Sequence, residues 1–440
     1  MTKDSLNAKL RDLARGLSPK TGERNRIGKI YDSFNDLFGI NNCIQIGSYP
    51  RYTSISPVHD LDILYVMGDW NESSHNPGAV LNELLKLIEK NYKNPTDLEI
   101  EVSIQSHSVT VAYLSSGNEV VSVDIVPAYI FGKNEFQDCT YKVPEVIKEK
   151  RHSIRKSMAW KADSKDGWIK SDPRGYIKIA TLVGENKDFR KAVKIVKKWK
   201  ENLKDSDEDL KLKSFHIEQV IAREFLKNSD LTLFDAIFYF FTRLPEILEN
   251  PYQIQDRANG DKFIDDYLAD LTEEQKEKIV QARDHALIFL EEVNDTSDIN
   301  ALLLPNFYER HSSSEKYLFD FQISMLINPA YGGFKITAEI TDKNGNYVRD
   351  LTSGGIVEAG RYLKFKRLNR VGDCSYKWKV KNDNSSTEPR GDITNGNTKN
   401  VPEHTRYLGW HYIECYAIEG STCVARSKQF IILNRENSKK

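Results

Sequence analysis

The stretch that decides the fold covers residues 47–66 and reads GSYPRYTSISPVHDLDILYV. Gly47 and Ser48 end a short apolar segment, and after eleven intervening residues an Asp-Leu-Asp triplet opens an apolar run. Alternate residues of a strand point to the same face, so Asp60 and Asp62 project together from the predicted strand. Glycine lets a backbone approach a phosphate closely, and the serine hydroxyl adds a donor. The stretch therefore predicts two strands whose connection presents phosphate donors beside two carboxylates.

A third carboxylate stands in VSVDIVP, residues 121–127, where Asp124 interrupts a second apolar strand. Three neighbouring carboxylates repel one another, so their pKa values rise unless a cation compensates the charge. Two Mg²⁺ ions about 3.5–4 Å apart would do so, and they would also activate an attacking hydroxyl and stabilise a leaving pyrophosphate. We therefore predict that Asp60, Asp62 and Asp124 are catalytic residues that bind two Mg²⁺ ions, or Mn²⁺ in their place.

The hydrophobic pattern divides the chain into three regions. Strands with helices packed against them are predicted for about residues 25–135, and helical periodicity dominates about residues 140–295, including a helix near 143–159. Residues 301–319 are a linker candidate, and residues 320–440 alternate with period two between turns rich in Gly, Asn and Asp. This pattern predicts an α+β unit over residues 1–300 followed by a β-sandwich-like domain.

The composition narrows the class of protein. The 440 residues include 63 Lys and Arg against 64 Asp and Glu, a formal net charge of −1, so nonspecific coating of a polymeric nucleic acid is not expected. The longest apolar run, residues 236–241, is far shorter than the roughly 20 residues of a membrane span. The N-terminus has no apolar signal segment, and the five cysteines are scattered, so we expect a cytoplasmic protein with free thiols.

These motifs resemble the polymerase-β-type nucleotidyltransferase superfamily, in the branch that contains oligoadenylate synthetases, cGAS and the bacterial CD-NTases (cGAS/DncV-like enzymes). Two further stretches fit it: KAVKIVKKWK at 191–200 resembles the family's helix with a K-x-W signature, and LKSFHIEQVI at 212–221 resembles its LKSF-x-[LI]-E helix. The resemblance, which covers about residues 25–295, implies that Lys197 and Ser214 join Gly47 and Ser48 in binding the nucleotide triphosphate, with Glu218 beneath Ser214.

The C-terminal region resembles a second family, the adenylyl/guanylyl and SMODS C-terminal sensor domain (AGS-C). The resemblance rests on YKWKVKN at 376–382, EPRGDI at 388–393, EHTRYLGWHYIECYAI at 403–418 and SKQFII at 427–432. It implies a domain that senses nucleotides or related ligands. The candidates to line a pocket in it are Arg390, Glu403, Trp410 and His411. The alternative is that each of these residues simply belongs to the surface or the core of the β-sandwich.

Together, the resemblances imply a Mg²⁺-dependent enzyme that joins NTPs into a cyclic oligonucleotide and releases pyrophosphate. They also imply a bacterial anti-phage (CBASS-type) signalling role, in which the product activates a separate effector protein. Alternatives are linear oligonucleotides made from NTPs or dNTPs, transfer of a nucleotide to a protein or small hydroxyl, and a catalytically weak nucleotide-binding sensor.

Overall fold

The computed structural model describes residues 1–71, 73–146, 167–396 and 402–434. Three cores organise this part of the chain: one beneath a mixed sheet, one among helices, and one between the sheets of a C-terminal domain. The predicted α+β architecture with a strand-rich C-terminal domain is confirmed.

The first core lies beneath a seven-stranded sheet in which the order of the first five strands is β1-β2-β5-β4-β3. The strands are β1 (Cys43–Ile46), β2 (Asp60–Asp69), β3 (Glu99–Ile104), β4 (Val109–Ser115), β5 (Asn118–Lys133), β6 (Cys139–Glu145) and β7 (Gly167–Ser171). Strands β2 and β5 are parallel, which sets the carboxylates of the two strands side by side. The helices at Thr21–Phe38 and Pro77–Asn91 supply apolar side chains to this core.

The second core is helical. We number the helices in chain order as α1 (Lys3–Gly16), α2 (Thr21–Phe38), α3 (Pro77–Asn91), α4 (Pro173–Val183), α5 (Lys187–Ser206), α6 (Ser214–Lys227), α7 (Leu233–Glu249) and α8 (Glu273–Glu292). Although α1 precedes the sheet in sequence, its Leu6 and Leu10 are buried among α5 and α7. Trp199 of α5, the tryptophan of the K-x-W signature, is fully buried in this core.

The C-terminal domain is a sandwich of two sheets. Its strands are β8 (Ser324–Met325), β9 (Ile336–Thr341), β10 (Tyr347–Leu351), β11 (Gly355–Glu358), β12 (Tyr362–Arg367), β13 (Ser375–Lys381), β14 (Arg390–Asn395), β15 (Glu403–His404), β16 (Gly409–Glu419) and β17 (Thr422–Asn434). One sheet has the order β10-β9-β12-β15 and the other the order β11-β17-β16-β13-β14. Phe365 of the first sheet and Trp378 of the second are buried in one common core.

Two boundaries differ from the sequence analysis. The sheet continues past residue 135, because β6 and β7 join it, and residues 143–145 of the predicted 143–159 helix lie in β6. Val146 follows the strand without helical structure, and residues 147–159 of that predicted helix fall outside the described residues.

The segment expected to be a linker is packed instead of free. Arg310 pairs with Asp284 of α8 at 2.8 Å and with Asp320 at 2.8 Å, and Glu315 pairs with Lys381 of β13 at 3.3 Å. These ion pairs connect α8, the segment and the sandwich. In the described parts of the chain, no helix combines the length and the apolar character that a membrane crossing requires.

Candidate active site

The parallel pairing of β2 and β5 brings the predicted carboxylates together. Asp62 is directly opposite Asp124, and Asp60 is opposite Ser122, so all three carboxylates lie on one face of the sheet. Thr110 and Ser108 donate hydrogen bonds to Oδ1 of Asp124, the latter at 3.3 Å, and the Ser122 hydroxyl donates to Oδ1 of Asp60 at 3.4 Å. The acidic face predicted from two separate strand patterns is therefore one site.

Burial and mutual repulsion make this site costly to ionise fully. Burial, followed by the charges of Asp124 and Asp60, raises the pKa of Asp62 to about 6. Burial also raises the pKa of Asp124, and the hydrogen bond from Thr110 only partly offsets this. A cation between the carboxylates would lower both pKa values, because an opposite charge favours the ionised form.

Gly47 packs its backbone directly against the acidic site. Gly47 directly follows Ile46, the last residue of β1, which pairs with Asp62. The φ of Gly47 is 76°, a backbone conformation that favours glycine. A Cβ atom built on Gly47 would lie 1.8 Å from Oδ2 of Asp62. The next residue, Ser48, accepts a hydrogen bond from the amide of Thr53 at 3.1 Å, which closes the loop that follows. The structure therefore brings the backbone of Gly47 to Asp62, with Ser48 next in the chain, and the phosphate contacts of both residues stay predictions.

A buried ionic cluster ties this loop to the helical region. Glu218 of α6 is fully buried, and its carboxylate accepts hydrogen bonds from Arg51 at 2.5 Å, Thr53 at 2.7 Å and Lys197 at 3.1 Å. Although burial alone would raise it, the pKa of Glu218 is held at about 2 by the charges of Lys197 and Arg51 and by hydrogen bonds from Arg51 and Thr53. The cluster fixes the loop that carries Ser48 against α5 and α6.

Lys197 therefore has a different setting from the predicted one. The ammonium also donates to the Thr53 carbonyl at 3.2 Å, and the residue is only 5% exposed. Glu218 attracts it into the interior because an unpaired buried carboxylate would be costly. The structure thus places Lys197 behind the Ser48 loop, away from an open surface, and its contact with a triphosphate stays a prediction.

One turn along α5, Lys200 has the setting expected of a phosphate-binding cation. Its Nζ donates to the hydroxyl of Ser214 at 3.0 Å, at the first residue of α6. Burial lowers the pKa of Lys200, while the charge of Asp60 is near enough to act in the opposite direction. The first backbone N–H groups of a helix attract anions, so α6 adds donors at this point. Sequence reasoning missed Lys200, although its i,i+3 spacing from Lys197 places both on one side of the helix.

The residues present fit a divalent cation that arrives with a substrate. Among the residues that the structure describes, no three His, Cys, Asp or Glu side chains converge closely enough to enclose an ion alone. Mg²⁺ commonly uses one or two carboxylates and completes its shell with substrate phosphates and water. The raised pKa of Asp62 matches that arrangement, because a cation that arrives with the substrate would favour the ionised carboxylate.

Comparison with known proteins gave a match for the C-terminal region. Residues 310–434 match the model of the Adenylyl/Guanylyl and SMODS C-terminal sensor domain. Among curated proteins, no sequence matches this chain.

Solved structures are similar at low identity. The E. coli MS115-1 CdnC:HORMA-deltaN complex has 17% identity and a TM-score of 0.45, covering 65% of this chain and 89% of that chain. Rhodothermus marinus CdnE c-UMP-AMP synthase with Apcpp and Upnpp has 12% identity and a TM-score of 0.41, covering 66% and 99%. Elizabethkingia meningoseptica CdnE cyclic dinucleotide synthase with GTP and Apcpp has 16% identity and a TM-score of 0.39, covering 56% and 85%.

The family-model match begins at Arg310, which contacts α8, so it includes residues 310–319 of the packed segment as well as the sandwich. The resemblance predicted for about residues 320–435 is confirmed by this match. The C-terminal region of the chain, residues 310–434, thus matches the AGS-C sensor-domain model, and ion pairs join it to an α+β unit that presents three strand carboxylates.

Proposed function

We propose that the chain is a Mg²⁺-dependent nucleotidyltransferase that joins NTPs into a cyclic oligonucleotide second messenger and releases pyrophosphate. The observation that carries the proposal is the pairing of Asp62 with Asp124 on parallel strands, with Asp60 on the same face. The sensor-type C-terminal region supports a signalling role, in which the product activates a separate effector protein in bacterial anti-phage defence. A cytoplasmic location and the lack of a stable polymeric nucleic-acid partner remain part of this proposal.

Asp60, Asp62 and Asp124 would hold the metal ions. When bound, two Mg²⁺ ions activate a hydroxyl and stabilise charge on the leaving oxygen. The 3′- or 2′-hydroxyl of one nucleotide forms a bond to the α-phosphorus of another, and the bond to pyrophosphate breaks. Thr110 and Ser108 orient Asp124 for this role through their hydrogen bonds to Oδ1.

The triphosphate would lie between the Ser48 loop and the start of α6. Gly47 allows close backbone approach, and Ser48, Ser214 and Lys200 provide hydroxyl and ammonium donors at its two sides. Glu218 is a positioning residue. Its carboxylate accepts hydrogen bonds from Arg51, Thr53 and Lys197 and thereby positions the Ser48 loop. Lys197 would reach a phosphate only by exchanging its bond to Glu218.

The proposal is tested by incubating purified protein with each α-labelled NTP, singly and in mixtures, with Mg²⁺ or Mn²⁺. Phosphatase-resistant product is analysed by mass spectrometry, and pyrophosphate is measured in parallel. We expect Asp60→Asn and Asp124→Asn to abolish product. Asp69→Asn is the matched control, because Asp69 is an exposed carboxylate at the far end of the same strand.

The products separate the alternatives. A cyclic product supports the proposal, and a linear product from NTPs or dNTPs replaces it with oligonucleotide synthesis. Label recovered on protein or on a small hydroxyl indicates nucleotide transfer to another acceptor. Metal-dependent NTP binding without pyrophosphate release, with Asp124→Asn indistinguishable from wild type, indicates a nucleotide-binding sensor and contradicts the proposal.

A further inference from the structure

The sandwich sheet β11-β17-β16-β13-β14 carries exposed apolar side chains on its outer face. Trp410 of β16, Phe430 of β17 and Ile356 of β11 are 60%, 44% and 54% exposed. The register pairs Ile432 with both Trp410 and Ile356, and it pairs Phe430 with Tyr412. Paired residues of neighbouring strands share a face, so these five side chains form one surface, which we call the outer patch. The alternate apolar residues of the same strands belong to the sandwich core.

The same face of the sheet is covered where β16 continues. Tyr416 and Ile418 follow at alternate positions, and each is only 4% exposed. They pack against Leu318, Ile323 and Met325, which belong to the segment between α8 and β9. The outer patch is therefore the open continuation of a face that the chain covers elsewhere with its own apolar side chains. Residues 435–440, which follow β17, read RENSKK and offer no apolar side chain to extend that cover.

The size of the outer patch suits the centre of a protein interface. An aromatic side chain can bury about 150–250 Å², so the exposed fractions of Trp410, Phe430 and Ile356 leave roughly 300 Å² of apolar surface. Patches of about 300–600 Å² are the largest that typical monomers expose, and they often serve in binding. A standard interface buries about 800 Å² per partner and surrounds an apolar core with a polar rim. The outer patch thus provides such a core, and the polar surface around it provides the rim.

Charges of opposite sign border the two ends of the outer patch. Towards the covered half, the Lys428 ammonium lies 3.7 Å from the ring centroid of Tyr412 and 3.4 Å from Glu414. At the other end, where β16 begins, the carboxylate of Asp383 accepts a hydrogen bond from the amide of Trp410 at 2.9 Å. A two-fold axis that lies in the interface and crosses the strands brings the Lys428 end of one copy over the Asp383 end of the other. A uniformly acidic or basic partner would meet a like charge at one end.

We propose that the outer patch is the core of a two-fold interface with a second copy of this chain. In such an interface each patch packs against the same patch of the other copy, so one surface provides both halves. Tyr, Trp and Phe are enriched at interfaces, and three of the five residues of the patch are aromatic. The patch is in a different domain from the carboxylates, and association is measured without substrate. Its test is therefore independent of the proposed enzymatic function.

Sedimentation equilibrium of the full chain from about 1 to 100 µM, a range that spans micromolar affinities, tests this proposal. We expect a monomer–dimer equilibrium with a Kd of about 10 µM or lower, because interfaces of standard size reach micromolar affinity or better. A chain that stays monomeric at about 100 µM would overturn the proposal. Association that continues beyond the dimer would also overturn it, because a two-fold contact closes on itself.

Variants locate the interface. Trp410→Glu and Ile356→Glu each place a charge in the outer patch at an exposed position, and we expect the Kd to rise at least about ten-fold because that charge would be buried without a partner. Leu368→Glu is the matched control, because Leu368 is 63% exposed and follows β12 of the other sheet, and we expect an unchanged Kd. If Trp410→Glu does not fold, Trp410→Ser removes the same apolar area without adding a charge. A wild-type Kd in a folded variant of Trp410 or Ile356 would place the interface elsewhere and refute the proposal.

Discussion

Replacing Glu218 by Gln tests the buried cluster that supports the proposed site. The substitution keeps the side chain's size but removes the charge that compensates Arg51 and Lys197, which stay only 7% and 5% exposed. Removing one partner of a buried pair typically costs about 3–5 kcal/mol, because the remaining charge has no counter-ion. We therefore expect a large loss in the free energy of unfolding at neutral pH.

The pKa of Glu218 gives a second estimate of the magnitude. Its shift from 4.5 in the unfolded chain to about 2 in the folded chain corresponds to about 3 kcal/mol at 1.36 kcal/mol per pKa unit. Burial lowers the pKa of Lys197, so the charge on that lysine offsets part of this contribution. An expected loss of about 3 kcal/mol is consistent with both estimates.

The pH dependence follows from the direction of the shift. Because the folded-state pKa of Glu218 is depressed, its contribution is fully present above about pH 4.5 and is lost as the pH falls towards 2. The difference between wild type and Glu218→Gln should therefore be constant from pH 8 to pH 5 and shrink below that.

Urea denaturation measures the free energy of unfolding by linear extrapolation. Glu224→Gln is the matched control, because Glu224 is in the same helix and pairs with the largely exposed Lys227 at 2.8 Å. An exposed pair contributes about 0.2–1 kcal/mol. If Glu218→Gln loses no more stability than Glu224→Gln, or if its loss does not decrease at low pH, the reasoning is wrong.

Three further predictions concern the proposed site. Asp62→Asn should reduce product formation at least 100-fold, yet raise the free energy of unfolding of the metal-free protein by about 1–3 kcal/mol above pH 6. This gain should be absent below pH 4, because the folded-state pKa of Asp62 is raised to about 6. An unchanged urea midpoint in EDTA would contradict this prediction. Gly47→Ala should abolish activity and lower the free energy of unfolding by at least about 1–2 kcal/mol from its positive φ alone. Gly28→Ala is the control, because nothing lies within 4 Å of the added atom, and it should stabilise α2 by about 0.5–1 kcal/mol. Equal shifts in melting temperature for the two variants would refute the prediction. Lys200→Met should raise the KM for NTP at least ten-fold, while Lys198→Met leaves it unchanged in the same steady-state assay, and equal effects would remove Lys200 from the phosphate site.

Local periodicity predicted much of the architecture correctly. The stretch at 212–221, expected to be helical, forms the first part of α6 (Ser214–Lys227), and the predicted strand that carries Asp60 and Asp62 is β2 (Asp60–Asp69). In both segments the apolar residues recur with the period of the element, so burial and local preference agree. A strand without such a pattern was not predicted. β10 (Tyr347–Leu351) is exposed at four of its five residues, so it lacks the alternation of apolar and polar residues that indicates a strand.

The lysines of α5 show the limit of reasoning from the sequence. Lys197, Lys198 and Lys200 are chemically equivalent in the sequence. Their roles differ because Glu218 reaches one of them and Ser214 another, both from a different helix. Since helix packing decides which side of α5 each neighbour meets, no local pattern separates the buried lysine from the one that bonds to Ser214.

The sequence by itself determined which carboxylates share a face, because the period of a strand places Asp60 and Asp62 together whatever the strand pairs with. It also determined the two-part organisation of the chain, through the change from helical to alternating periodicity. Only the tertiary structure decided that Asp62 stands opposite Asp124, that Lys197 is buried on Glu218, and that the sandwich has an open cleft beside His411. Each of these depends on contacts between segments distant in sequence, whose energies come from burial and charge pairing that form only when the chain folds.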